Sequence, residues 1–556
     1  MATTSLVLHS SNMVSSVISE SDRLIFVSWW SWWWDGTIEI PNTRLIPTLL
    51  AITLVLAVSL YAWFIKKPFT SVPPLPPGPP GLPLLGNLPF LPPDLHRYFA
   101  KLSKIYGPIM KLQLGRKICI VITSPSVAKQ VLKDHDAIFA NRDPPIAAIV
   151  STYGGIDIAW SPNGPEWRKL RKIFVRELMS KTCLDACHAL RRQEVRKMVE
   201  EVYAKVGSPI NIGDQMFLTV LNVIMSMSWG GLLHGEDRSR VGFQFRQVVD
   251  EIVELWGAPN ISDLFPVLAR FDLQGVESKM KNLSSWFDRF FESLINTRTK
   301  DHQDGGENKK EEKGSKDFLE TLLELTQQGD NKSSLSMNQV KVLLLDIFLG
   351  GTHTTSTTIE WVMAELLQHP ETILKNACKE LEEVVGIGNT VEEFHIPNLH
   401  YLNAILKETL RLHPSVPLLF PRSPSTTQTI SEYTIPKGSR VILNVWAMQR
   451  DPETWKSPLE FQPERFQRDD DGRCEYKGNN FNFLPFGSGR RMCPGIRMAE
   501  KMLLYVLATL LHSFEWKLAE GTEVDLSDKC GLALMKKEPL IAIPAAKLSV
   551  PQHHFS

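Results

Sequence analysis

One short stretch near the end of the chain constrains its fold more than any other. It is a glycine-rich loop, Phe486–Gly495, that holds a single cysteine and leads into an apolar helix predicted from Ile496 to about Leu511. Gly489 and Gly495 leave the backbone bare, so that N–H groups can point at the cysteine sulfur. The positive N-terminal end of the helix further favours a thiolate. This pattern predicts that Cys493 is a metal ligand.

Five positions of this loop, Phe486, Gly489, Arg491, Cys493 and Gly495, have the spacing of a known motif. The spacing resembles the haem-binding loop of the cytochromes P450. The resemblance implies that the Cys493 thiolate is the proximal ligand to the iron of haem b, that Phe486 contacts the haem, and that Arg491 binds a propionate. The alternative is that Cys493 is an ordinary buried cysteine, but five fixed positions favour the ligand.

Composition narrows the class of protein. The 556 residues are 43% hydrophobic, which allows a large core, and we expect one large catalytic domain. Lysine plus arginine and aspartate plus glutamate both number 61, so no basic excess indicates nucleic acid as a partner. The seven cysteines are scattered, with no C-x-x-C pair, which indicates a reducing compartment and neither a disulfide framework nor a zinc site.

The first part of the chain predicts a membrane anchor. Residues 1–44 form an extension with a tryptophan cluster and lack the basic start of a signal peptide. Residues 45–65 are uncharged, mostly apolar and flanked by Arg44, Lys66 and Lys67. At roughly 1.5 Å per residue they can span a hydrocarbon core of about 30 Å, although a buried helix is the alternative. We expect a single-pass protein of the endoplasmic reticulum with its catalytic domain in the cytosol, and a plastid address is the alternative.

Residues 66–86 form a basic and proline-rich segment that contains Pro73–Gly81. Such a segment must be stiff and extended, and it resembles the hinge that orients microsomal P450s on the membrane. By composition alone it could also be an SH3 ligand. We assign residues 87–548 to the haem-thiolate domain and residues 549–556 to a tail.

Three further residues are candidates for binding the haem propionates. Trp167 and Arg171 share a face of a predicted helix and match the Trp-x-x-x-Arg pattern of the P450 family. Arg422 follows Pro421 and is the third candidate. Arg168 and Lys172 form a second stripe on the same helix. The resemblance implies that this stripe docks an acidic electron donor, and the alternative is an ordinary solvated basic face.

A long helix is predicted from Met337 to His369, with a capping box at Ser336. The glycines and hydroxyls of Gly350–Thr355 should open its hydrogen-bond ladder. This part resembles the oxygen-binding groove of P450s, with Thr354 at the proton-steering threonine. The family usually has an acid where this chain has His353, so the imidazole either relays protons or proton delivery is weaker and the chemistry is rearrangement or dehydration.

The resemblance also implies a buried structural triad and an apolar substrate pocket. Glu408 and Arg411 lie one turn apart on a helix, and Arg465 supplies the third member of the family's Glu-Arg-Arg triad. The candidates for the substrate pocket are Ile146, Gly350, Val416, Leu419 and Leu534.

These features together identify the chain as similar to plant A-type microsomal P450s, in a branch with sesquiterpene (cadinene-type) hydroxylases. The implied fold is mainly α with a small β lobe, behind an N-terminal transmembrane helix. The implied reaction is hydroxylation of a small apolar metabolite, foremost a sesquiterpenoid, with electrons from NADPH through cytochrome P450 reductase and with cytochrome b5 as a further donor. Flavonoid or aldoxime oxidation is one alternative, and a haem-thiolate isomerase or dehydratase that needs no external electrons is another.

Overall fold

The computed structural model describes residues 50–59, 73–230, 235–304, 317–327, 334–467 and 475–547. Residues 50–59 are helical, and the rest of the predicted membrane span lies outside the described residues, as do the extension 1–44 and the tail 549–556. No helix in these described ranges is long and apolar enough to cross a membrane. Nearly all the described residues belong to one compact unit, made of 72–81, 85–88 and everything from 93 onward.

Helices dominate this unit, as the sequence predicts. In the described part of this unit the α-helices are α1 (Leu95–Tyr106), α2 (Pro125–Lys129), α3 (Ile146–Ser151), α4 (Pro165–Ile173), α5 (Lys181–Ala186), α6 (His188–Tyr203), α7 (Ile212–Trp229), α8 (Gly235–Gly257), α9 (Ile261–Leu264), α10 (Val276–Asp304), α11 (Phe318–Gln327), α12 (Met337–Gln368), α13 (Lys375–Val385), α14 (His400–Leu412), α15 (Val445–Met448) and α16 (Ile496–Ser513).

The strands form small sheets, in keeping with the predicted β lobe. Where the chain is described they are β1 (Ile109–Leu114), β2 (Lys117–Ile122), β3 (Asn141–Arg142), β4 (Ile210–Asn211), β5 (Arg422–Ser423), β6 (Gln428–Ile430), β7 (Tyr433–Ile435), β8 (Arg440–Leu443), β9 (Phe514–Lys517), β10 (Asp528–Cys530), β11 (Leu534–Lys536) and β12 (Ile541–Ala546). The largest sheet has the order β1-β2-β8-β5-β3, and β4, β12 and β9 form another. Strand β8 is parallel to β2 and antiparallel to β5.

The long helix α12 is the centre of the main core. It is apolar around its circumference and packs against α7, α14 and α16. Its start is fixed as predicted, because Ser336 Oγ accepts the Gln339 N–H at 3.2 Å and the Gln339 side chain accepts the Ser336 N–H at 3.0 Å. The predicted end at His369-Pro370 is also confirmed, since the helix stops at Gln368.

The proline-rich segment is extended and is bonded to the β lobe. The Lys111 N–H donates to the Pro77 carbonyl at 2.8 Å, and the Thr434 N–H donates to the Pro74 carbonyl at 2.9 Å. A Cβ on Gly78 would lie 1.8 Å from the Lys111 oxygen, so glycine is required for this approach. The segment is therefore built into the fold along this stretch.

Candidate active site

The cysteine loop is closed by its own backbone. The Cys493 N–H donates to the Phe486 carbonyl at 3.0 Å, which brings the two ends of the loop together. The Gly495 N–H donates to the Cys493 sulfur at 3.4 Å, and α16 begins at the next residue. The ring of Phe486 packs edge-on against Tyr476. The structure thus presents one sulfur at the N-terminus of a helix, as the sequence predicts.

Opposing influences act on the protonation of Cys493. Removal from water, the largest influence, raises the pKa of the Cys493 thiol, while the Gly495 N–H and the charge of Arg171 act in the opposite direction. The backbone N–H thus favours a thiolate, as expected, but burial of the sulfur acts against it. A metal ion bound to the sulfur would supply the missing charge, because a coordinating thiol is deprotonated.

Gly489 is also required by a contact that the sequence did not predict. Its φ is +69°, and a Cβ there would lie 2.5 Å from both the Leu132 oxygen and the Asp136 carboxylate. The glycine is therefore needed for a tight turn against these two groups. Gly495 keeps the predicted role, because its N–H reaches the sulfur.

Three of the predicted cofactor residues lie together beside this loop. The Arg491 guanidinium lies 4.0 Å from the ring centre of Trp167, and the Arg171 guanidinium lies 5.6 Å from the same ring. Trp167 Nε1 donates to the Ile158 carbonyl at 3.0 Å, and Arg171 donates to the Met492 carbonyl. Arg491 donates to backbone carbonyls of residues 140, 158 and 161. All three side chains are therefore already held by backbone oxygens.

Arg422 joins them, together with an arginine that sequence reasoning missed. Arg422 donates to the Ser488 carbonyl at 2.8 Å and lies 3.4 Å from the Asp136 carboxylate. Directly across the sheet from it is Arg142, its partner in the register of β3 and β5. Arg142 donates to the carbonyls of Ala159 at 2.9 Å and Phe420 at 2.7 Å. Sequence patterns do not reveal the position of Arg142 beside Arg422, because the strand that pairs with it lies about 280 residues later in the chain.

Four guanidinium groups thus lie close together: Arg422 and Arg491 are buried, and Arg142 and Arg171 are half-buried. Burial lowers the pKa of each of them, to about 10 for Arg422 and about 9 for Arg491, and mutual repulsion adds to the effect for Arg142 and Arg491. Like charges placed directly opposite across a sheet destabilise it. An anion with two carboxylates would relieve this repulsion, so the donor set fits the propionates of a haem whose iron meets the Cys493 sulfur.

The predicted proton path lies on α12. Thr354 Oγ1 donates to the Gly350 carbonyl at 2.7 Å. The helix runs through Gly350–Thr355 without interruption, so the expected opening of the ladder is not seen. The two glycines differ: no atom lies within 4 Å of a Cβ on Gly350, which is exposed in mid-helix, whereas a Cβ on Gly351 would lie 2.7 Å from Ile224 Cδ1. The space predicted beside the helix is therefore on the Gly350 side.

His353 points to another helix. Its Nε2 lies 3.5 Å from Asp250 Oδ1 on α8 and 2.9 Å from the Met535 sulfur. Burial lowers the pKa of His353 to about 4, and the charge of Arg246 adds to this. The imidazole is therefore neutral at physiological pH. Sequence reasoning singled out His353 but missed Asp250, because α8 contains several acidic residues and none has a distinctive spacing.

The predicted Glu-Arg-Arg triad forms near the C-terminal end of α14. Arg411 Nε lies 2.7 Å from Glu408 Oε2, and Arg465 Nε lies 3.3 Å from Glu408 Oε1. Glu408 and Arg411 are completely buried. Arg411 also donates to the carbonyls of Gln449 and Pro458, both at 2.8 Å. The triad therefore ties α14 to two distant segments of the chain.

The substrate-pocket candidates lie on several elements. Ile146 begins α3, and its N–H donates to Asp263 at 2.7 Å. Val416 and Leu419 are half-buried in one turn, whose Leu419 N–H donates to the Val416 carbonyl at 3.1 Å. Leu534 is completely buried.

Ser415, which the sequence did not single out, connects these segments to the long helix. Its carbonyl accepts the Leu534 N–H at 3.0 Å, and its hydroxyl lies 3.0 Å from that of Thr358 on α12. The structure thus brings the turn at Val416, strand β11 and the long helix together.

Comparisons with known proteins agree with this geometry. The sequence model of the cytochrome P450 family matches residues 76–544. Cytochrome P450 76C3 from Arabidopsis thaliana is 39% identical over 84% of this chain and 90% of its own length. Carnosic acid synthase from Salvia pomifera is 39% identical over 83% and 91%. Flavonoid 3'-monooxygenase from Arabidopsis thaliana is 38% identical over 84% and 90%.

Solved structures give the same result for the fold. A zebra fish cytochrome P450 determined with progesterone superimposes with a TM-score of 0.68 and 26% identity, over 82% of this chain and 100% of that one. The same kind of protein determined with abiraterone gives a TM-score of 0.66 and 25% identity over the same shares. With a family match across most of its length and a single cysteine sulfur presented beside buried arginines, this chain belongs to the cytochrome P450 family, whose members are haem-dependent enzymes.

Proposed function

We propose that this P450 monooxygenase hydroxylates a small apolar plant metabolite, foremost a sesquiterpenoid. The observation that carries the proposal is the Cys493 sulfur at the start of α16, next to four buried or half-buried arginines that can bind an anion. A bound haem supplies the activation of molecular oxygen and takes up electrons one at a time. In the proposal Cys493 holds its iron, Phe486 and Trp167 contact it, and the four arginines bind its propionates.

In this proposal, two residues of α12 transfer protons. The Thr354 hydroxyl lies beside the open space at Gly350, where oxygen and substrate would approach. A hydroxyl can both donate and accept, so it can pass on a proton without a permanent charge. His353 is neutral and can take up a proton from the Asp250 side.

In this proposal electrons come from a reductase partner, as membership of the family implies. We propose that NADPH-cytochrome P450 reductase uses the exposed stripe of Arg168 and Lys172 on α4, with cytochrome b5 as a further donor. A double alanine substitution there should slow reduction and leave haem content unchanged. We also propose that residues 45–65 anchor the chain in the endoplasmic reticulum membrane and that Pro73–Gly81 orients the domain on it.

The names of the relatives support two substrate classes. Flavonoid 3'-monooxygenase and Flavonoid 3',5'-hydroxylase are 38% identical to this chain, and so they favour flat phenolic substrates as the second candidate. The aliphatic character of Ile146, Val416, Leu419 and Leu534 favours terpenoids. A third candidate, isomerisation or dehydration without external electrons, is favoured by the neutral His353 in the place of the usual acid.

Product formation separates these candidates. Membranes that contain this chain and a plant reductase are supplied with NADPH and with δ-cadinene, naringenin or phenylacetaldoxime. We expect an oxygenated product from the first probe, and we expect it to vanish without NADPH and in Cys493→Ser, whose hydroxyl is a poorer iron ligand. Conversion that persists without NADPH would overturn the monooxygenase proposal and favour the isomerase or dehydratase.

A further inference from the structure

Two cysteines lie one helical turn apart at the junction of α5 and α6. Cys183 is inside α5, and Cys187 lies between the end of α5 and the start of α6. The Cys187 N–H donates to the Cys183 carbonyl at 3.1 Å, so the two side chains are on the same face of this turn. Both cysteines are free and half-buried, and the function proposed above does not use them.

The two sulfur atoms are joined by a hydrogen bond. The Cys187 thiol donates to the Cys183 sulfur, and this bond, the largest influence, lowers the pKa of Cys183 to about 7. The charge of Arg191 on α6 acts in the same direction, whereas burial and the charge of Glu177 act against it. The same hydrogen bond, followed by burial, raises the pKa of Cys187. The pair therefore combines one thiol that ionises near neutral pH with one that stays protonated.

This arrangement is the one that a peroxide-sensitive dithiol requires. A thiolate reacts with a peroxide more readily than a thiol does, and the sulfenic acid that results condenses with a neighbouring thiol to a disulfide. Cys183 supplies an accessible thiolate, and Cys187 supplies the second thiol. Cys119 differs from both, because complete burial raises its pKa to about 12 and keeps it unreactive.

We propose that Cys183 and Cys187 form a redox-modification site for hydrogen peroxide, with Cys183 as the attacking and Cys187 as the resolving residue. The Cys183 thiolate breaks the O–O bond of the peroxide and becomes a sulfenic acid, and the departing hydroxide takes up a proton to become water. The Cys187 sulfur then attacks the Cys183 sulfur, and the S–O bond breaks to release a second water with the Cys187 proton. Two thiols are oxidised to one disulfide, and one peroxide is reduced to two waters.

Oxidation changes the local structure, because the turn must tighten. Side chains one helical turn apart have Cβ atoms about 5–6 Å from each other, whereas a disulfide needs about 3.5–4.5 Å. The residues between the two cysteines attach α5 to its surroundings. The Leu184 carbonyl accepts Arg191 Nη1 at 2.6 Å, and Asp185 Oδ1 lies 3.4 Å from Lys501 Nζ on α16. A tighter turn disturbs these contacts and so loosens α5 from the helix that follows Cys493.

The first test detects the disulfide directly. The haem-loaded full chain is treated with hydrogen peroxide at neutral pH, blocked with iodoacetamide and digested with trypsin, which releases residues 182–191 with both cysteines in one peptide. We expect this peptide to lack two hydrogen atoms and to carry no alkyl group, and dithiothreitol should restore alkylation of both cysteines. Alkylation of both cysteines in spite of the peroxide would overturn the inference.

Variants separate the roles of the two cysteines. In Cys187→Ala we expect peroxide to leave a sulfenic acid on Cys183, which dimedone labels, because the resolving thiol is missing. In Cys183→Ser we expect Cys187 to stay reduced. The matched control is Cys378→Ser, which removes another half-buried free cysteine and should leave formation of the disulfide unchanged. Dimedone on Cys187 in Cys183→Ser would contradict the proposed roles.

The pH dependence of alkylation tests the hydrogen bond between the sulfur atoms. The rate at which iodoacetamide modifies Cys183 follows the thiolate fraction, so in the wild type it should rise with a midpoint at about pH 7. In Cys187→Ala the midpoint should move towards about 8.5, the ordinary value for a free thiol, because the bond that lowers the pKa is lost. Equal midpoints would show that Cys187 does not activate Cys183 and would overturn the inference.

Hydrogen exchange tests the structural consequence. After peroxide treatment we expect the amides of residues 182–191 and of the first two turns of α16 to exchange faster, and dithiothreitol should reverse the change. The same treatment should leave exchange unaltered in Cys183→Ser. Unaltered exchange in α16 of the oxidised wild type would overturn the proposed link to that helix. None of these measurements needs a substrate or NADPH, so their outcome is independent of the function proposed above.

Discussion

At the scale of single residues, the candidate site is a set of like charges that the fold holds together. Arg142 and Arg422 face each other across β3 and β5, and Arg491 adds a third guanidinium. Each is fixed by backbone carbonyls, so the side chains cannot turn away from one another. Asp136 and Asp157 act against this repulsion, and a bound anion would relieve it further, which favours binding of an anionic cofactor.

Arg142→Lys tests this argument. Lysine keeps the charge but loses the planar fork that reaches the carbonyls of Ala159 and Phe420, which should cost about 1–3 kcal/mol of stability. We also expect haem to leave faster, as measured by its transfer to apomyoglobin. The exposed Arg168→Lys on α4 is the control and should change neither quantity. A wild-type rate of haem transfer in Arg142→Lys would contradict the role assigned to Arg142.

At the scale of elements, α12 combines a rigid core helix with one open position. The hydroxyls of Thr352, Thr354 and Thr358 donate to carbonyls one turn earlier, so these three hydroxyls are satisfied within the helix. Gly351 allows α7 to approach through Ile224, and Gly350 leaves space on another side of the helix. The two adjacent glycines therefore have different roles: Gly351 permits close packing of the helices, and Gly350 leaves space beside α12.

A matched pair of alanine substitutions separates these two roles. Gly350→Ala adds a methyl group where no atom lies within 4 Å, so the better helix propensity should stabilise the protein by up to about 1 kcal/mol. The methyl group should nevertheless reduce turnover, because it enters the space beside Thr354. Gly351→Ala gains the same propensity but must displace Ile224, and we expect no net stabilisation. Melting temperatures and turnover measure both effects, and equal stabilisation by the two substitutions would contradict the assignment.

At the scale of the whole molecule, a few buried polar groups hold distant segments together. The Glu408–Arg411–Arg465 triad ties α14 to the segment around residues 449–465, and Ser415 links α12 to β11. The proline-rich segment is bonded to β1 and β7 in the same way. Such contacts join parts of the chain that are remote in sequence.

Glu408→Gln tests the importance of the triad. It leaves the buried Arg411 without a counter-charge, which should cost about 3 kcal/mol or more in the free energy of unfolding. Urea unfolding and haem content report this loss. Glu383→Gln breaks the exposed pair with Lys379 and should leave stability unchanged. If the two variants unfolded alike, the triad would not be a structural requirement.

The sequence by itself determined what depends on local pattern. The start and end of α12, the helix after Cys493 and the helical position of Trp167 and Arg171 all follow from caps and periodicity. The cysteine loop was recognisable because its residues are close together in the chain. The contacts of Gly489 with Leu132 and Asp136, and the burial of the Cys493 sulfur, were not predictable from the loop alone, because both depend on groups from elsewhere.

Only the tertiary structure decided which remote residues meet. Arg142 joins Arg422 because β3 and β5 pair, and Asp250 meets His353 because α8 lies against α12. The two residues of each pair lie far apart in the chain, so no sequence motif contains both of them. Burial then sets the pKa values of these groups, since removal from water acts on a charge only after the chain has folded around it.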